Sequence, residues 1–172
     1  MASKIYSAAV VGVDAFEVEV EVHTGYGDYG KVAVVGLPDT AVRESKHRVL
    51  SAITNSPLRW PRGKITVNLA PATVRKEGPS FDLPIAVGMP KVNDDNRIPD
   101  LSPYCLAGEL ALSGEAYPVV VIRRRVDQQA ASPSDGFSKT LTFQAPSRRP
   151  FRVQRFGHFL VAVLAEAAKN PG

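Results

Sequence analysis

Between residues 15 and 24 the chain alternates strictly, with Phe16, Val18, Val20 and Val22 on one side and Glu17, Glu19, Glu21 and His23 on the other. Successive strand side chains point to opposite faces, so a period of two in β-branched residues predicts a half-buried strand. Ile65, Val67 and Leu69 alternate in the same way with Lys64, Thr66 and Asn68, predicting a strand over 63–71. The apolar runs 5–13 and 31–36 read as further strands, with GYGDYG (25–30) as a loop before the second. The period then lengthens. Val42, Val49, Leu50 and Ile53 are spaced as one helical stripe within 37–56, with Asp39 as N-cap and Asn55-Ser56-Pro57 as the stop. Arg43, Glu44, Lys46, His47 and Arg48 fall largely on the solvent side of that helix. A second helix is predicted over 81–89, and its internal Pro84 is tolerable only in a first turn, which puts the start at Ser80 or Phe81. A polar loop (92–103) and two strands within 104–121, joined at Ser113-Gly114, complete the pattern.

These elements predict an α+β fold, a mostly antiparallel sheet with the 38–55 and 80–89 helices on one face. Val18, Val20, Val34, Val42, Leu50, Ile65, Val67, Leu83, Ile85, Leu106 and Leu110 are expected to meet in one core. The pattern stops after Ile122, which divides the chain into a domain over 1–122 and a basic, poorly ordered tail over 123–172. The tail carries only a short strand at 139–145 and a short apolar helix over 158–170.

Charge follows the same division. Residues 1–122 hold 12 Lys and Arg against 14 Asp and Glu, and residues 123–172 hold 9 against 3, so the formal charge of +4 belongs to the tail. No apolar run is long enough to span a bilayer. The apolar N-terminus after Lys4 is interrupted by Asp14, Glu17, Glu19 and Glu21 and reads as structure, giving a cytoplasmic expectation. The single Cys105 sits in an apolar run and reads as a buried thiol.

Candidate chemistry is sparse. There is no GxxxxGK[ST] phosphate loop, and GYGDYG opens no helix, so no P-loop nucleotide site is expected. His23, His47 and His158 lie in different elements, and Asp94, Asp95 and Asp100 lack an EF-hand pattern, so no metal site is expected either. The stretch KEGPSFDLPIA (76–86) is the exception. A serine after a Gly-Pro turn at a helix start could be a nucleophile if a base took its proton. Backbone N–H groups at the helix start would then supply an oxyanion site. The competing reading makes Ser80 an N-cap and Asp82 a partner for the helix dipole.

Four ordered blocks, SKIYSAAVVGVDAFEVEVEV, VAVVGLPDTAVRESKHRV, ITVNLAPATVRKEGPSFDLPIA and LAGELALSGE, resemble the N-terminal domain of the magnesium-chelatase-like ComM (YifB) proteins over about residues 3–119. KEGPSFDLPIA followed by LAGELALSGE and PV also resembles the core of the Lon-type protease fold. The resemblance implies a Lon-like, ribosomal S5 domain 2-like fold, with Lys76, Gly78, Pro79, Ser80, Asp82, Gly108 and Glu109 as its structural motif. It also implies a place ahead of an AAA+ ATPase module, absent here, in hexameric motors of DNA uptake and recombination that promote branch migration. ATP and Mg would belong to that module, and no cofactor is expected in this chain.

Lon-type peptidases pair the serine with a lysine in the helix after the PV strand. Here Arg123, Arg124 and Arg125 occupy that region, and no lysine falls between Lys91 and Lys139. An arginine stays protonated and cannot serve as general base. A non-catalytic accessory domain is therefore expected. The alternatives are a Ser80-dependent peptidase and a nucleic-acid-binding module using Arg123, Arg124, Arg125, Arg148 and Arg149. Beyond Pro118 the family's PVRGVLPIALAA-like helix is replaced by PVVVIRRRVDQQAASPSDG, so a truncated or frame-altered end is expected. The partners expected are the AAA+ module, DNA, and further copies of the chain through an uncovered sheet edge or face.

Overall fold

Alternation along the first half of the chain becomes the centre of a six-stranded sheet. In the computed structural model, residues 2–11, 14–93, 98, 100–113 and 116–123 are described. β1 (Ala2–Val11) and β2 (Asp14–Gly25) form a long hairpin, followed by β3 (Val32–Val35), α1 (Thr40–Thr54) and β4 (Lys64–Ala70). A one-turn 3-10 helix (Pro79–Phe81) leads directly into α2 (Asp82–Lys91), and β5 (Tyr104–Leu110) and β6 (Ala116–Arg123) follow. The strand order is β3-β4-β2-β1-β5-β6. β1–β2, β2–β4 and β5–β6 are antiparallel, and β3–β4 and β1–β5 are parallel, so the α+β sheet is mixed. The tail expectations beyond Arg123, Arg124, Arg125, Arg148 and Arg149 among them, lie outside the described residues, as do Asp94 and Asp95.

The register lines apolar side chains into rows. Ile5 faces Val20 and Val20 faces Leu69, and all three are fully buried; Val22 and Val67 form the next row with Val34 beyond them. The opposite face is polar. Lys4 Nζ lies 2.7 Å from Glu19 Oε1, and Asn68 Nδ2 donates to Glu21 Oε2 at 2.9 Å. A sheet covered on one side and polar on the other produces the clean alternation seen in β2.

Both helices cover the apolar face. α2 packs on β1, β2 and β5, and every residue from Asp82 to Pro90 is buried, as an element apolar all round must be. Gly88 sets how closely it approaches. Ser3 Oγ donates to Gly88 O at 2.6 Å, and a Cβ at Gly88 would lie 2.8 Å from Val22 Cγ2. α1 packs beside α2 and begins at Asp39, whose carboxylate accepts from Val42 N at 2.8 Å, the cap expected from sequence.

One core expectation fails. Leu50 is 46% exposed, and the buried stripe of α1 is Val42, Ser45, Val49, Ala52 and Ile53. Leu50 stands about 100° around the helix from Val49, beyond a stripe centred on positions 42, 45, 49 and 52. Val34 is only half-buried, because β3 is an edge strand. No described helix is long and apolar enough to cross a membrane.

Gly88→Ala should lower the unfolding free energy by about 1–3 kcal/mol, because an added methyl overpacks a rigid helix–sheet contact. Urea denaturation of the two proteins measures it; an unchanged midpoint would show that α2 can lift from the sheet without cost.

Candidate functional site

The KEGPSFD turn is fixed at both ends by backbone pairing. Asp39 N donates to Lys76 O at 3.0 Å and Lys76 N to Leu37 O at 3.2 Å, a short parallel bridge between the two helix approaches. Asp39 serves both helices: one oxygen caps α1, and the other accepts from Gly78 N at 3.0 Å. Gly78 has φ +80°, a region costly for residues with a Cβ, and Pro79 follows at the first helical position.

Ser80 does not cap. The cap positions are Gly78 for the 3-10 turn and Phe81 for α2, and neither supplies a side-chain cap. The physical reason is the inserted 3-10 turn, which puts Ser80 inside the helical run while Asp39 serves the turn's entrance from outside. Ser80 is half-buried, and among the described residues no base accepts its proton.

Asp82 is in the first turn of α2, as the dipole reading requires, but most of its work is elsewhere. Its side chain has no exposed surface and accepts four hydrogen bonds: from Ser45 Oγ, from Arg48 Nε at 2.5 Å, from Arg48 Nη2 at 3.0 Å and from Leu110 N at 3.2 Å. The carboxylate thus joins α1, α2 and the end of β5. Arg48, expected to face solvent, is only 20% exposed at its side chain and also donates to Ala41 O at 3.0 Å. The Asp82 hydrogen bond raises its pKa further above the ordinary guanidinium value, with burial opposing and the charges of Asp82, Glu109 and Glu44 assisting.

Gly108 and Glu109 belong to the same construction. The β5–β6 register shifts between Ala107 and Glu109, so the buried Gly108 sits at a bulge just before the Leu110 N–H that reaches Asp82. Glu109 is exposed and adds only its charge.

Lys76 is buried, with no exposed surface. Its ammonium donates to Pro71 O, and no described carboxylate pairs with it. Burial pushes its pKa below the ordinary lysine value. No hydrogen bond links it to Ser80 among the described residues. The backbone of Arg123 closes β6 opposite Tyr104.

Metal-ligand clusters of three or more His, Cys, Asp or Glu are absent among the described residues. Asp100 accepts from Ser102 N and Ser102 Oγ, both at 2.9 Å, and the backbone donor foremost lowers its pKa. Cys105 is buried and forms no disulfide.

The family model described as subunit ChlI of Mg-chelatase matches residues 18–135, more than half of the chain. The chain belongs to this ChlI family. Among its relatives, YifB of Escherichia coli is 46% identical over 112 residues, covering 65% of this chain and 22% of that protein. YifB of Salmonella typhimurium is 46% identical over 110 residues, covering 64% and 22%. The competence protein ComM of Haemophilus influenzae is 44% identical over 111 residues, covering 64% and 22%. The chain thus aligns with about a fifth of the length of these relatives. The ChlI match runs past the change of composition at residue 122.

Asp82→Asn should destabilise this ChlI-family chain by about 3 kcal/mol, because Arg48 is left partly buried without its counter-ion. Ser80→Ala should stay within about 0.5 kcal/mol, since it removes no cap. Chemical denaturation distinguishes the two, and equal losses would return Ser80 to a structural role.

Lys76 predicts a pH dependence. The folded state disfavours the ammonium, so between the lowered pKa and 10.5 the unfolded chain binds more protons and stability rises with pH. Lys76→Met should therefore gain most over the parent below the folded-state pKa, and that gain should shrink toward pH 10.5. Denaturation midpoints of both proteins across the alkaline range measure the difference; a constant gap would contradict it.

Proposed function

We propose that the chain is a non-catalytic accessory domain of a ComM-type, magnesium-chelatase-like AAA+ ATPase, built on a Lon-like, ribosomal S5 domain 2-like fold. The observation that carries this reading is the closed network around Asp82. The acid that follows the serine in the KEGPSFD turn is saturated by Ser45, Arg48 and Leu110 and has no capacity left to orient a base for Ser80. The one shielded lysine nearby in sequence, Lys76, is bonded to a carbonyl.

On this reading the turn positions α2 and serves no peptide chemistry. ATP and Mg belong to the ATPase module of the longer relatives. The name of ComM speaks of competence, and the corresponding role here is support of DNA recombination and transformation through branch migration by that module, in the cytoplasm. Its direct partners would be the AAA+ module, DNA and neighbouring copies, the last through edge strands β3 and β6.

The rival is a Ser80-dependent Lon-like peptidase. Incubating the chain with a fluorophosphonate probe separates the two, with Ser80→Ala as the control. The accessory reading expects no Ser80-dependent label. It also expects the chain to co-elute in size-exclusion chromatography with an AAA+ module of a ComM relative. Labelling that disappears in Ser80→Ala would establish the peptidase instead.

A further inference from the structure

A cleft of about 430 Å³ opens between α1 and the N-terminal ends of β3 and β4, and its walls include Lys31, Lys46, His47, Leu50, Trp60 and Lys64. Three separate parts of the chain deliver these cations: the residue before β3, the middle of α1 and the first residue of β4. Residues 1–122 carry more acids than bases, so this gathering is a segregation of charge and not a sample of the average surface. The acids Glu17, Glu19 and Glu21 project from the sheet face that the helices leave open. Lys31 pairs with Asp28, while Lys46 and Lys64 have no carboxylate partner among the described residues.

Trp60 adds a second, independent feature. It packs partly on the core and partly lines the cleft, and its indole Nε1–H is shielded from water with no acceptor among the described residues. An indole nitrogen only donates, and leaving such a donor shielded and unpaired costs free energy. The cleft therefore presents ammonium groups and the apolar surfaces of Trp60 and Leu50. The complementary occupant carries negative acceptor oxygens joined to flat apolar rings.

We propose that this cleft binds single-stranded nucleic acid, with phosphates against Lys46, Lys64 and Lys31 and a base against Trp60 and Leu50. A free nucleoside triphosphate fits less well. Its polyphosphate is usually gripped by converging backbone amides of a glycine-rich loop at a helix start, and the cations here are long lysine stems on a strand, a loop and a helix body. A duplex would keep its bases stacked away from Trp60. The proposal rests on the cleft alone and stands or falls separately from the accessory-domain reading.

Trp60 is the only tryptophan of the chain, so its fluorescence reports the cleft directly. Titrating the full chain with a thymidine oligonucleotide at low salt should give saturable quenching. The logarithm of the affinity should fall with that of salt at a slope of about −2, as for roughly three phosphates neutralised on a single strand. Lys46→Gln combined with Lys64→Gln should weaken binding about tenfold or more with circular dichroism unchanged. Replacing Arg123, Arg124 and Arg125 by Gln should leave the quenching in place. Unchanged Trp60 emission, parental affinity in the double lysine variant, or equal quenching by ATP, duplex DNA or polyglutamate would each overturn the proposal.

Discussion

The fold turns on one buried carboxylate. Taking a charge out of water costs several kcal/mol, and the cost is recovered only when the charge is both paired and hydrogen-bonded. Asp82 meets both conditions with donors from two other elements: a hydroxyl and a guanidinium from α1 and a backbone amide from β5. Apolar packing alone would tolerate small slides of α1 against α2. A carboxylate with four donors around it does not, because any displacement leaves a shielded charge or donor unmatched. The contribution is therefore less to net stability than to fixing one arrangement of the helix pair over the sheet.

Asp39 does the corresponding work at the surface end of the same helices. Its two oxygens go to Val42 N of α1 and Gly78 N of the 3-10 turn, so both helices start from one side chain. That explains why Ser80 is free of a capping duty. Ser80 stands inside the 3-10 turn, past the entrance where Asp39 already accepts from Gly78 N. Gly78, with its positive φ, brings the amide to Asp39, and Pro79, lacking an N–H, leaves no second donor to satisfy at the next position.

The strands, both helix positions and the Asp39 cap were legible because each rests on a local period or a local chemical preference. What escaped was set by tertiary partners. Leu50 reads as core by hydrophobicity, and Arg48 reads as solvent-facing by polarity. The structure reverses both, since the stripe of α1 is centred on a buried acid 37 residues away in sequence from Ser45. Polar residues on a buried stripe are invisible to apolar periodicity. The only signal was indirect: an acid at position 82, inside a helix too apolar to face water, demanded a cation from somewhere.

The same limit applies to charge. Summed over residues 1–122, the charge hides a separation that the sheet creates, with acids projecting from the open face of β2 and lysines gathered where α1 crosses the edge of β3 and β4. Leu50 belongs to this second pattern. Left out of the core, it lines the cleft beside Trp60, where an apolar residue among lysines is costly unless something apolar lies against it. The exposed Leu50, and Trp60, whose Nε1–H lacks an acceptor among the described residues, line the same cleft, where the proposed occupant would supply the apolar contact that water cannot.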